Sequence, residues 1–167
     1  MEKILIIGNG FVSRELNLAH RVDETDEFSK VIRMNECKLL SYHDSIGWRM
    51  DIYHQGFSRF VPDIALLAKE VWWTISGHQA EQKAMEGLAI KQVFLNKLPR
   101  EAQVKYKERK MGVLKEIGQG FQPSCGLSTI LLCGSIFPFA HKIYLAGFDG
   151  GESGHIWNAE DLSRQRK

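Results

Sequence analysis

The chain has 167 residues, 44% of them apolar and 25% charged, with a formal net charge of +2. That length suits one domain with a buried core, and so small a charge argues against nucleic acid or an anionic membrane surface as partner. The three cysteines, Cys37, Cys125 and Cys133, show neither metal-ligand spacing nor an even disulfide count, and read as reduced thiols of a cytoplasmic protein.

Lys3–Ile7 (KILII) is an apolar run bounded by glycine, the pattern of a buried parallel strand. It is far too short for a secretory leader, and no run approaches the roughly 20 apolar residues of a membrane span. The expected protein is soluble and able to visit a membrane peripherally. Residues 11–19 read as a helix with Ser13 in its first turn, and Lys30–Met34 (KVIRM) repeats the strand pattern. Residues 48–54 (WRMDIYH), 70–76 (EVWWTIS) and 91–96 (KQVFLN) read as further strands, with helical composition over 76–89. Pro99 opens a charged helix to about residue 117, which Gly118 and Gly120 end. Ser124 caps an apolar helix to about residue 137, and Pro138 stops it. Residues 142–147 (KIYLAG) form the last strand, before a polar, Gly-rich tail.

This alternation predicts a single α/β domain over residues 1–167. It is Rossmann-like, a mostly parallel sheet with helices on both faces. Ligands of such sheets sit beyond the carboxyl ends of the strands. That rule gathers Gly8-Asn9-Gly10, Asn35, residues 123–126 and residues 148–155 around one crevice.

Gly8-Asn9-Gly10 reads as a phosphate turn, or as a tight turn with no ligand. A dinucleotide fingerprint would place a third glycine at Ser13 and an acidic residue near Arg33, Met34 and Asn35. Asn9 favours a ligand, because its amide both donates and accepts. Arg33 is open to two readings, a salt-bridged structural side chain or a partner of an NADP 2′-phosphate. Ser124 can cap its own helix, or the first turn with Cys125 and Gly126 can receive an anion. Phe148, Asp149 and Glu152 enter a loop that carries His155 beside Trp157. That histidine can touch a phosphate, move a proton or simply lie exposed. Trp72 and Trp73 are either buried in the sheet or line an acceptor groove.

Taken in order, these segments resemble the sialyltransferases. VIRMN looks like the VIRxN end of the family's large motif, and IGWRMDI is similar to its continuation. PSCGLSTILLC looks like the small motif, followed by a strand ending in AGF. GHIW looks like the third motif. The resemblance covers roughly the first 54 and last 50 residues. It implies CMP-sialic acid as donor, a glycan as acceptor and no metal cofactor, and the chain has no D-x-D motif. Asn9 and Asn35 would hold the phosphate and ribose of CMP. Ser124, Cys125 and Gly126 would face the cytidine or the sialic acid carboxylate. Phe148 and Asp149 would border the donor, and His155 would meet the departing phosphate.

Two departures stand out. Cys125 replaces a usual second hydroxyl, and no His-plus-acidic motif follows GHIW before Lys167. Either His155 serves as base, or the base is absent and the chain is a donor-binding remnant or a truncated enzyme. An NADP-linked oxidoreductase is the third reading. Oligomeric state is open.

Overall fold

Six strands carry the described part of the chain: β1 (Lys3–Ile7), β2 (Lys30–Met34), β3 (Ile52–Gln55), β4 (Glu70–Trp73), β5 (Lys91–Phe94) and β6 (Lys142–Ala146). The computed structural model describes residues 2–10, 12, 14–35, 39–56, 60–74, 79–118, 124–137 and 142–148. The strands form one sheet of order β5-β4-β3-β2-β1-β6, and every pairing is parallel. Between them lie α1 (Leu18–Asp23), α2 (Leu39–Ile46), α3 (Pro62–Ala65), α4 (Gln79–Ala84), α5 (Arg100–Ile117) and α6 (Cys125–Ile136).

Successive strand residues point to opposite faces, so each strand feeds two cores. Ile4, Ile6, Ile32, Met34, Ile52 and Trp72 pack against Tyr106 of α5 and Leu131, Leu132 and Cys133 of α6. On the other face, Leu5, Ile7 and Val31 meet Leu18 and Val22 of α1 and Ile46 of α2. Tyr53, Val71 and Trp73 continue that face over Ala65, Phe60 and Met85. Helices thus cover both faces, as the alternation predicts. Trp72 and Trp73 are buried in the sheet.

The first helix departs from expectation. Residues 14–16 make one 3-10 turn, and α1 begins only at Leu18. Asn17 lies between them at φ 46, a left-handed conformation that a continuous right-handed helix cannot contain. The third strand is shorter than 48–54, because residues 47–51 form a clamp. The buried Arg33 guanidinium donates to the carbonyls of Ile46 (2.8 Å), Gly47 (2.9 Å) and Arg49 (3.1 Å). Asp23 accepts from the N–H groups of Trp48 (2.7 Å) and Arg49 (2.8 Å). Asp51 accepts from the Val31 N–H (2.9 Å) and pairs with Arg49 (3.0 Å) and Lys69 (2.8 Å). Burial alone would raise the Asp51 carboxyl, but Lys69, the Val31 N–H and Arg49 outweigh it and hold it below the ordinary value. The IGWRMD segment is therefore a structural clamp between β2 and β3. Arg33 serves that clamp, which removes the residue on which the NADP reading depended.

Candidate functional site

The strand order reverses at β1. The chain moves outward through β2 to β5, then returns through α5 and α6 to set β6 on the other side of β1. A switch point of this kind opens a crevice beyond the carboxyl ends. The pairings Ile7↔Arg33 and Ile7↔Ala146 bring the residues that leave β1, β2 and β6 level with one another. Carried two residues further, the first register sets Asn9 opposite Asn35.

The glycines do not cradle an anion with their own amides. The Gly8 N–H donates to the Ala146 carbonyl (2.7 Å) and the Gly10 N–H to the Gly147 carbonyl (2.9 Å). A Cβ on Gly8 would lie 2.4 Å from the Gly147 carbonyl oxygen. Gly147 itself has φ +68, and a Cβ there would lie 2.9 Å from the Gly10 carbonyl oxygen. These glycines let two backbone segments approach closely. Gly8→Ala is expected to cost about 1–3 kcal/mol by overpacking, read as a lower urea midpoint at unchanged slope. An unchanged midpoint would show that the two segments part freely.

Asn9, between them, is different. It is only 9% exposed, and its side-chain amide makes no hydrogen bond among the described residues. With no internal bond to give up, its amide can both donate to and accept from a group outside the chain.

Helix α6 supplies the facing wall. Ser124 is its N-cap, and its hydroxyl accepts from the Leu127 N–H (3.2 Å). The N–H groups of Cys125 and Gly126, in the first turn, have no acceptor within the helix and carry the positive end of its dipole. Phe148 lies across this wall and β1. A Cβ on Gly126 would come 2.8 Å from its ring, and one on Gly8 3.1 Å. The residue is 38% exposed, so part of its apolar surface stays open.

Asn35 has φ 54 and works as a strut. Its side-chain oxygen accepts from the Gly56 N–H (3.1 Å). A Cβ on Gly56 would lie 2.5 Å from the Cys125 sulfur, so β2, β3 and α6 close tightly here. Burial pushes the Cys125 thiol up to about 11, which keeps it a neutral thiol with no nucleophilic character.

Sequence reasoning missed His54, at the centre of this junction. It is fully buried, and burial pushes it down to about 4. The Thr129 hydroxyl donates to the Cys125 carbonyl (2.7 Å), leaving its oxygen to accept from His54 Nδ1–H. His54 Nε2 lies 3.2 Å from the Thr74 hydroxyl, which also reaches the Gln55 carbonyl (3.4 Å), and the Cys125 sulfur lies 3.7 Å from Nδ1. This neutral imidazole ties β3 to α6 beneath the crevice. Its only signal in the sequence is one ionisable residue inside an otherwise buried strand.

The structure therefore gathers Gly8, Asn9, Gly10, Asn35, Ser124, Cys125, Gly126 and Phe148 along one edge of the sheet. Asp149 and His155 lie outside the described residues, as do Pro123, Cys37 and Trp157. Among the described residues, no three His, Cys, Asp or Glu side chains come together to hold a metal ion, and no helix is long and apolar enough to cross a membrane.

No protein-family model matches the chain, and no curated protein sequence matches it significantly. Solved structures do. The chain is similar to a mammalian sialyltransferase in complex with Gal-beta-1-3GalNAc-ortho-nitrophenol, with a TM-score of 0.50, 16% identity and 93% of this chain covered. It is similar to a second mammalian sialyltransferase structure with the same score, identity and coverage. The match spans 60% and 59% of those two chains. The protein thus shares the fold of these sialyltransferases over about three fifths of their length.

Proposed function

We propose that this chain is the donor-binding domain of a sialyltransferase-like glycosyltransferase, which takes CMP-sialic acid and passes the sugar to a glycan. The observation that carries this reading is Asn9, a mostly buried residue whose amide has no partner among the described residues, placed at the switch point. The order of the VIRMN, IGWRMD, PSCG and GHIW segments and the shared fold support it.

In this reading the CMP phosphate sits between the Asn9 amide and the first turn of α6. Negative charge grows on that phosphate as the glycosidic bond breaks. Donors already fixed in place stabilise it without reorganising. The amide is held by the buried end of β1, and the first turn of α6 by His54. The exposed face of Phe148 is a stacking surface for the cytosine base. Asn35 acts here as a positioning residue, since its oxygen is engaged by Gly56. His155 is assigned to the departing phosphate or to the acceptor proton, and Asp149 to the donor, on the sequence resemblance. The reaction as proposed uses no metal.

CMP is expected to raise the melting temperature, and NADPH to leave it unchanged. At a hundredfold excess over Kd, binding adds about 2.7 kcal/mol of stability. Acceptor-dependent release of CMP from CMP-sialic acid would establish transfer. Binding without release would leave a nucleotide-binding protein, and stabilisation by NADPH alone would overturn the proposal.

A further inference from the structure

A second concavity opens on the same rim of the sheet. It lies beyond the carboxyl ends of β4 and β5, between α4 and α5, and holds about 690 Å³, a size typical of small-ligand sites. Thr74 follows β4 directly, and Phe94 ends β5. From β1 to β4 is three strand spacings, roughly 14 Å, and to β5 roughly 19 Å. The pocket is therefore separate from the switch-point crevice yet opens beside it.

Its charge is one-sided. Lys83, Lys97, Lys107 and Lys110 line it, against the single carboxylate of Glu86. None of the four lysines joins an ion pair among the described residues. Like charges gathered around a concavity repel one another, and an anion between them relieves that repulsion. The arrangement follows from the sequence: Gln103, Tyr106, Lys107 and Lys110 recur at three- and four-residue spacing, so α5 presents them along one face. The other lining groups suit a sugar ring. Phe94 gives aromatic surface, while Gln82 and Asn96 offer amides that both donate and accept. The Lys97 ammonium is held 4.6 Å above the Phe94 ring, which fixes a charge beside an apolar face.

We propose that this pocket binds a carboxylate-bearing saccharide. Its identification as the acidic end of the acceptor rests on the nucleotide-sugar reading above, whereas the binding itself does not. The lysines are compact charges suited to a carboxylate, and the amides and the Phe94 ring distinguish a saccharide from a bare anion.

The test is calorimetric titration of the whole chain with trigalacturonate, with its neutral methyl ester and with inorganic phosphate. Trigalacturonate is expected to bind at least about tenfold more tightly than the ester, and to lose affinity at about 1 M NaCl, where charges are screened within about 3 Å. The Lys107→Gln/Lys110→Gln variant is expected to lose about tenfold in that affinity while binding CMP as the parent does. Equal binding of acid and ester, or an unchanged affinity in the variant, would overturn the proposal. Displacement by equimolar phosphate would also overturn it, by showing a plain anion site. Acid binding without CMP binding would support the pocket and sink only the donor reading.

Discussion

Acidification from pH 6.5 to 4 is expected to destabilise the fold by about 3 kcal/mol through His54 alone. His54 is fully buried between β3, β4 and α6, where an imidazolium would lose its hydration, so its folded-state value falls to about 4 from an ordinary 6.5. In the unfolded chain it takes up a proton as the pH drops through 6.5. The folded chain refuses that proton until about pH 4. The unfolded state thus binds more protons throughout this window, and stability rises with pH across it. The contribution is complete above pH 6.5 and disappears as the pH falls through 4. The Asp51 and Glu27 carboxyls are held below their ordinary values, so their own losses come at lower pH. Urea denaturation at pH 6.5, 5.5 and 4.5 checks the point when parent and His54→Gln are compared. The variant curve should flatten relative to the parent. Parallel curves would show that His54 is protonated as freely in the folded chain as in the unfolded one.

Asn9→Ala is expected to weaken CMP binding by about tenfold or more, since a hydrogen bond to a charged group contributes about 1.5–3 kcal/mol. The side chain makes no hydrogen bond to the described residues, so its contact with a phosphate displaces no internal bond. Isothermal titration of the two proteins checks this. The neighbouring glycines offer no substitute, because the N–H groups of Gly8 and Gly10 hold β6. An unchanged dissociation constant would remove Asn9 from the site.

Strong periodic signals were legible in the sequence. The apolar run of Lys3–Ile7, Pro99 before α5, and Ser124 as the cap of α6 all depend on local chemistry, and each is found where the sequence predicts it. The helix after Gly10 was not legible, because the left-handed Asn17 breaks it and nothing local marks an asparagine for that conformation. The short helices α2 and α3 carry too few residues to show a period. Within the site, the sheet rule brought Asn9, Asn35 and the start of α6 to one edge. It did not reveal that Gly8 and Gly10 serve the packing of β6, or that Arg33 holds the clamp at residues 46–49. Those roles depend on partners more than ten residues away. His54 was missed for the same reason, since its partners Thr74 and Thr129 lie on other elements.

The most direct measurement is a crystal structure of the protein grown with CMP. The phosphate is expected within hydrogen-bond distance of the Asn9 amide and the first-turn N–H groups of α6, with the base against Phe148. CMP bound elsewhere, with the Asn9 amide left facing solvent, would contradict it.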